Sequence, residues 1–207
     1  MPPSSRFWDR IANRYSRQPI SDEATYQRKL QITRDLLHPH MKLLEFGCGT
    51  GSTALVHAPH VEHIRAIDIS AKMIEIAKNK ATEAKIENVT FEQATLETIH
   101  PQPESYDMIL GLSILHLVDD RDAAIAKVAK LLKPGGHFIS STACLGDNLQ
   151  FFKLIAPLGR LLGLLPTLRI FSTQELIDSL ERAGFDIEQS WSPGKNKAVF
   201  IVARKPS

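Results

Sequence analysis

The chain has 207 residues and a formal net charge of +2, with 43% hydrophobic and 23% charged residues. This length accommodates one sizeable domain with a short appendage but not two ordinary domains, and the composition excludes a disordered or membrane-spanning protein. Because the charge is close to neutral, the chain has no broad basic field, and a nucleic-acid partner is not favoured.

The cysteine content and the amino terminus both favour a reducing compartment. Cys48 and Cys144 are too few for a disulfide framework. The first residues, MPPSSRFWDR, lack the apolar stretch of a signal peptide, and no apolar run reaches the length of a membrane span. We therefore expect a cytoplasmic protein with a single domain over residues 1–207.

The first predicted element is an amphipathic helix. Phe7, Ile11 and Tyr15 recur every four residues, which is the spacing of one helix face. The pattern predicts an N-terminal helical cap within residues 1–37. Packing explains Phe7 and Ile11, whereas the hydroxyl of Tyr15 needs a polar partner.

After the cap, short apolar runs alternate with helix-like segments, a pattern typical of βαβ units around a mostly parallel sheet. Helix starts are predicted at Ser70, at Asp119 or Asp120, and at Ser172, where Glu175 completes a capping box. The predicted parallel strands are residues 42–46, 64–69, 89–93, 106–111 and 137–142.

The carboxyl-terminal part has a different pattern. Residues 185–191 and 197–204 are strand-like, and only the turn sequence SPGKN separates them. That connection is too short for a helical crossover, so we predict an antiparallel hairpin. A dinucleotide-binding fold would instead continue in βα units to its last parallel strand.

A glycine-rich loop, GCGTG at residues 47–51, joins the first predicted strand to a helix starting near Ser52. Glycine permits positive φ and lets a ligand lie against the backbone, and such loops bind nucleotide-type cofactors in doubly wound sheets. Asp68 ends the second strand, where a carboxylate can bind both hydroxyls of a ribose. The alternative role of Asp68 is a helix cap, but its occurrence together with the loop favours ribose binding.

Four segments, LLEFGCGTGS, AIDIS, YDMILGLSILHLVDD and LLKPGGHFIS, resemble the signature segments of class I S-adenosylmethionine-dependent methyltransferases over roughly residues 7–204. The resemblance is to their small-molecule branch, which includes ubiquinone and menaquinone biosynthesis methyltransferases. It implies a doubly wound α/β fold with a seven-stranded sheet in the order 3-2-1-4-5-7-6 and helices on both faces. It also implies methyl transfer from S-adenosylmethionine, with S-adenosylhomocysteine as the product.

The resemblance also assigns cofactor contacts. Glu45 orients the loop, and Asp68 holds the ribose. The family usually has an acid facing the adenine amino group, but here Thr95 occupies that place, and its hydroxyl or backbone can hold the ring. The implied contacts are Glu45, Gly47, Cys48, Gly49, Asp68, Ile69, Met73, Thr95, Leu96 and Gly111, of which Cys48 is interpreted as a small packing residue.

Two residues are candidates for the methyl-transfer chemistry. His116 follows the fourth strand and can act as a general base for a phenol or alcohol, the alternative being a structural histidine. In the resembling family, the segment containing Tyr15 folds over the cofactor as part of a lid, where its hydroxyl can meet the cofactor carboxylate.

The segment 145–171 is conspicuously apolar and lies where related enzymes carry a variable substrate cover. It fits a core helix, a hydrophobic substrate pocket or a membrane-surface patch bordered by Lys153, Arg160 and Arg169. We favour a small, hydrophobic or lipid-like acceptor, with a transient membrane contact left open. The oligomeric state is not predicted.

The sequence bears on three alternative functions. The loop spacing and the terminal hairpin disfavour a nicotinamide-dependent oxidoreductase. Enzymes that methylate base amino groups usually carry an Asn/Asp-Pro-Pro-aromatic motif after the fourth strand, whereas this chain has GLSI there. A nucleic-acid methyltransferase is therefore disfavoured. A cofactor-binding module without catalysis stays open.

A metal site is not predicted, although His57, His60 and His63 are three residues apart. Pro59 interrupts helical spacing, and the segment leads into the second strand at the edge opposite the ligand-binding ends. A solvated loop is the expected structure.

Overall fold

The computed structural model describes residues 3–147, 168–194 and 197–207. Its strands form the predicted seven-stranded sheet in the order β3-β2-β1-β4-β5-β7-β6. The chain divides into two compact units, Met1–Ile99 and His100–Ser207, and the expectation of a single domain stays a prediction. The strands are β1 (Lys42–Phe46), β2 (His63–Asp68), β3 (Val89–Gln93), β4 (Tyr106–Leu112), β5 (Leu132–Thr142), β6 (Asp186–Trp191) and β7 (Val199–Arg204).

The first unit carries parallel strands β1 to β3 and four helices within its described residues. Leu43, Leu44, Ile64 and Ile67 are fully buried, because parallel strands covered on both faces need nearly continuous apolar runs. The helices are α1 (Pro3–Ser16), α2 (Glu23–Arg34), α3 (Ser52–His57) and α4 (Ala71–Glu83).

The second unit combines parallel and antiparallel pairing. β4 pairs with β5 in parallel, while β7 lies antiparallel to both β5 and β6, which confirms the predicted terminal hairpin. β5 begins at Leu132 rather than at residue 137, because Leu132 already pairs with Tyr106 before a shift in register. The helices in its described part are α5 (Arg121–Leu131) and α6 (Thr173–Arg182).

The predicted helix starts have the expected capping bonds. The Ser70 side chain accepts a hydrogen bond from the Met73 amide, and Asp120 rather than Asp119 caps α5. Ser172 and Glu175 form the complete capping box at α6. A side-chain cap satisfies an amide that the helix itself leaves unpaired, so these short polar signals fix the helix boundaries.

The apolar segment predicted as a substrate cover lies mostly outside the described residues, which stop at 147 and resume at 168. Its two ends are held together, since the Gly146 amide donates to the Phe171 carbonyl at 2.9 Å. The Arg169 amide donates to the His116 carbonyl at 2.8 Å, so the returning end lies beside the segment that follows β4. Among the described helices, none is long and apolar enough to cross a membrane.

Candidate functional site

The glycine-rich loop adopts the backbone conformation that its sequence predicts. Gly47, Gly49 and Gly51 have φ angles of 68°, 54° and 75°. The Cys48 amide donates to the Ile67 carbonyl at 3.0 Å, which ties the loop to β2. Burial, together with the charges of Glu45 and Asp68, raises the pKa of the Cys48 thiol well above its ordinary value, as expected for a packing residue rather than a nucleophile.

Asp68 connects the end of β2 to the loop. Its Oδ2 accepts from the Gly49 amide and its Oδ1 from the Ser70 amide, both at 2.9 Å. Ser70, not Asp68, caps α4, so the alternative cap role of Asp68 is wrong. Each carboxylate oxygen has a further lone pair, which leaves Asp68 able to accept hydrogen bonds from a ligand. Burial raises the pKa of Asp68, against the lowering effect of the backbone hydrogen bonds.

Glu45 is a buried carboxyl group beneath the loop, with 3% of the residue exposed. Its Oε2 has no hydrogen-bond partner in the structure. Burial and the nearby charge of Asp68 raise the pKa of Glu45 to about 8, although a hydrogen bond from the Ala54 backbone opposes the shift. Glu45 is therefore mainly protonated at neutral pH, and Oε2 is available to a donor or cation.

Two tyrosines from the N-terminal helices border this site. Tyr15 is 47% exposed, and its Cε1 lies 3.8 Å from the point that a Cβ on Gly49 would occupy. Burial and the charge of Asp68 raise the pKa of Tyr15. The side chains of Tyr26 on α2 and Thr53 are hydrogen-bonded, and the charge of Glu45 contributes to raising the pKa of Tyr26. Sequence reasoning missed Tyr26, because α2 has no motif that marks this position.

Asp9 fixes the position of α1. Its Oδ1 accepts from the Ser70 hydroxyl at 2.6 Å and from the Lys72 amide at 3.1 Å, both at the start of α4. This contact places α1 so that Tyr15 lies beside the loop. Sequence analysis did not identify Asp9, because Asp9 and Ser70 are 61 positions apart and a contact between them leaves no local pattern.

Lys80 on α4 holds the far side of the loop. Its Nζ donates to the Thr50 hydroxyl at 3.0 Å and to the Ser52 hydroxyl at 3.1 Å. Gly51 between these residues is the N-cap of α3 and has no side-chain capping bond. The lysine therefore supports a helix start that lacks its own cap.

The other predicted cofactor residues of the first unit surround the end of β2. Met73 and Leu96 are buried, with 2% and 3% exposed. The Ile69 carbonyl accepts from the Gln93 side chain at 3.1 Å. Thr95 is half-buried, and its amide is bonded to the Thr98 hydroxyl at 3.0 Å. These predicted contacts lie in one unit.

Gly111 and His116 belong to the second unit. Gly111 is buried in β4 and pairs with Ser140 of β5. His116 follows β4, and its buried Nδ1 has no hydrogen-bond partner among the described residues. Burial lowers the pKa of His116, so its imidazole is neutral at physiological pH and can accept a proton.

The histidine-rich segment differs from its expected structure. His57 is the last residue of α3 and is fully buried, with no partner at either ring nitrogen, so the prediction of a solvated loop is wrong at this residue. Its position at the end of α3 carries the side chain of His57 inward. Burial and the charges of Arg34 and His60 lower its pKa to about 4. In the described ranges, no group of three or more His, Cys, Asp or Glu residues could hold a metal ion.

We expect Gly51→Ala to destabilise the protein by about 3 kcal/mol, from left-handed strain and overpacking together. A Cβ at Gly51 would lie 2.7 Å from the Phe91 ring and 2.9 Å from the Ala77 Cβ. Gly184→Ala is the matched control: its φ of +88° is also left-handed, but nothing lies within 4 Å. Urea unfolding should therefore show a loss of only about 1–2 kcal/mol for Gly184→Ala. Equal losses would contradict a steric contribution at Gly51.

Comparison with known proteins gives a consistent family match. A family model described as a methyltransferase domain matches residues 37–186. The uncharacterized methyltransferase YcgJ of Bacillus subtilis is 35% identical over 98 residues, which is 47% of this chain and 39% of that protein. The match thus spans less than half the length of this relative. A demethylmenaquinone methyltransferase of Leptospira interrogans is 30% identical over 191 residues, covering 81% of this chain and 76% of that protein.

A solved structure shows the same fold. The crystal structure of a putative S-adenosylmethionine-dependent methyltransferase from Listeria monocytogenes has a TM-score of 0.73 at 20% identity, covering 87% of this chain and 96% of that chain. The predicted fold class, the resemblance and the methyltransferase class are confirmed at the level of the family. A nicotinamide-dependent oxidoreductase is not supported.

Proposed function

The chain belongs to the methyltransferase domain family, and from this premise we propose that it transfers a methyl group from S-adenosylmethionine to a small, hydrophobic acceptor. One observation supports the site assignment most strongly: the carboxylate of Asp68 is bonded to the Gly49 amide of the loop. This bond joins the two features that the sequence pairs for cofactor binding, and it leaves lone pairs for a ribose.

The residues of the first unit fit the cofactor on three counts. Oε2 of Glu45 is a buried oxygen without a partner, suited to the ammonium group of the methionine part. Asp68 is a carboxylate suited to the two ribose hydroxyls. At Gly49 a Cβ would contact only Tyr15, at 3.8 Å, so the backbone there is open to a ligand.

The bound cofactor supplies an electrophilic methyl group on a positively charged sulfur. The work of this chain is then to orient the acceptor in line with the departing sulfur and to exclude water. Glu45, Asp68 and the loop hold the cofactor, and Tyr15 and Tyr26 close the side formed by α1 and α2. By the family resemblance, Ile69, Met73, Thr95 and Leu96 would take the adenine and ribose side, and Gly111 would take the methionine part.

We assign the general-base role to His116. Its neutral imidazole would accept the proton of an acceptor hydroxyl, and the bound cofactor would supply the methyl group to the acceptor oxygen. The unpartnered Nδ1 supports this role. His116→Gln should lower kcat and remove the acid limb of the pH–rate profile, whereas a purely structural role would lower stability without changing the shape of the profile.

A hydrophobic acceptor is supported by two independent features. The Leptospira relative is named for a menaquinone precursor, and the sequence of the segment 145–171 is rich in Leu, Ile and Phe. This segment is proposed as the substrate cover.

The acceptor class can be tested by incubating the protein with S-adenosylmethionine carrying a labelled methyl group and with fractionated cell extract. Label should enter the organic phase, and Asp68→Ala protein should transfer none. Exclusive labelling of polar metabolites would refute a hydrophobic acceptor. Binding of S-adenosylhomocysteine without labelling in either phase would identify a non-catalytic module instead.

A further inference from the structure

The helix α1 has three distinct faces. At about 100° per residue, Ser5, Asp9 and Ala12 share one face. Ser5 and Ala12 are buried, and Asp9 is bonded to the start of α4. This face is therefore the docked side of the helix.

A second face carries three arginines, Arg6, Arg10 and Arg14, and Arg17 follows in the turn after the helix. We call these four residues the arginine ladder. All four are exposed. The three helical arginines project within an arc of about 80° and extend over about 12 Å of helix. Among the described residues, none of their guanidinium groups has an ion-pair or hydrogen-bond partner. The only acid of α1 is Asp9, which is already engaged on the docked face.

The third face is aromatic and lies next to the ladder. It consists of Phe7, Trp8, Ile11 and Tyr15, the first three half-buried and Tyr15 exposed. Trp8 packs edge-on against Phe7 and Tyr15, with ring centroids 5.2 Å and 6.4 Å apart. We call this the aromatic edge. Its last member, Tyr15, lies beside the cofactor loop.

We propose that the arginine ladder and the aromatic edge of α1 form a docking surface for a bilayer that contains anionic phospholipids. Unpaired arginines complement phosphate headgroups, and each basic residue near an anionic surface contributes to binding. Tryptophan and tyrosine prefer the interfacial region, where one part of the ring is apolar and the other is wet. A helix with both features lies in the plane of the interface.

A bilayer fits this surface better than a nucleic acid does. The chain as a whole has a net charge of only +2, so long-range attraction to a polyanion is weak. The aromatic side chains contact one another along a continuous edge, which suits insertion as a strip more than stacking on separate bases. Because the edge ends at Tyr15, docking would bring the cofactor loop to the surface where a lipid-like acceptor resides.

The test is binding of the full-length, ligand-free protein to vesicles of phosphatidylcholine, alone or mixed with phosphatidylglycerol. Co-sedimentation should show binding only to the mixed vesicles, and added salt should weaken it. Arg6→Gln, Arg10→Gln and Arg14→Gln combined should lower the partition coefficient about 100-fold. Glutamine has nearly the helix propensity of arginine, so α1 should stay folded, which thermal unfolding checks.

The matched control replaces three exposed lysines outside α1, Lys78, Lys85 and Lys130, with glutamine. This variant should bind like the wild type, and an equal loss in both variants would overturn the proposal.

In a Trp191→Phe background, Trp8 fluorescence should shift to the blue on vesicle binding, and an unchanged spectrum would also overturn the proposal. If the wild type bound an oligonucleotide but not mixed vesicles, and the arginine variant lost the oligonucleotide binding, the surface would be assigned to nucleic acid. No step requires methyl transfer, so this test is independent of the proposed function.

Discussion

Asp68→Ala should weaken binding of S-adenosylhomocysteine about 100-fold or more, because two charge-assisted hydrogen bonds to the ribose would be lost. The substitution also removes the acceptor of the Gly49 and Ser70 amides, so the loop loses its tie to β2. Isothermal titration calorimetry measures the affinity, and thermal unfolding shows how much of the loss comes from a weakened fold.

Ribose recognition can be separated from support of the loop by changing the ligand. An analogue that lacks the 2′ and 3′ hydroxyls should bind the wild type much more weakly than S-adenosylhomocysteine does. The Asp68→Ala variant should bind the analogue and S-adenosylhomocysteine about equally well. Asp35→Ala is the control. The Asp35 carboxylate is exposed and, among the described residues, accepts a side-chain hydrogen bond only from Gln31, at 2.6 Å. If the wild type does not discriminate between the ligands, Asp68 has a structural role alone.

The sequence was sufficient for the parts of the fold that depend on local chemistry. Apolar runs bounded by turn residues predicted the strands, and Ser70 and Ser172 marked helix starts because a short polar side chain caps its own helix. The glycine loop could be predicted because each glycine there adopts a positive φ. Even the antiparallel hairpin followed from the length of one connection, since a helix cannot fit within SPGKN.

The contacts that complete the site were not predictable in this way, because they join residues far apart in the chain. Asp9 bonds to Ser70 from another helix, and Lys80 reaches back to Thr50. Neither pairing has a periodicity or motif, so only the packing of α1 and α4 reveals it. His57 shows the opposite error, since a polar residue two positions before Pro59 suggested a solvated loop although α3 carries it into the core.

The contribution of Glu45 to the stability of the ligand-free protein should fall as the pH rises from about 4.5 to about 8. Below about pH 6.5, the lowered pKa of His57 acts in the opposite direction. The pKa of Glu45 rises from 4.5 to about 8 on folding, because burial and the charge of Asp68 disfavour its ionised form. Within this window the folded chain retains a proton that the unfolded chain has lost, so increasing pH favours unfolding. The effect of this one group is on the order of 5 kcal/mol.

Glu45→Gln should remove that dependence, because a neutral amide imitates the protonated carboxyl. Urea unfolding across this pH range should show Glu45→Gln to be more stable than the wild type at the alkaline end. Glu87→Gln, at an exposed position, is the control and should follow the wild type. A parallel pH dependence in wild type and Glu45→Gln would show that Glu45 ionises normally in the folded protein.

The proton on the Glu45 carboxyl group also links stability to cofactor binding. If the cofactor ammonium group lies against the unpartnered Oε2, it favours the ionised carboxylate, and binding near neutral pH should release close to one proton. Calorimetry in buffers with different ionisation enthalpies measures this release, which should disappear in Glu45→Gln. Binding without proton release by the wild type would place the ammonium group elsewhere, since a buried protonated carboxyl offers a cation little attraction.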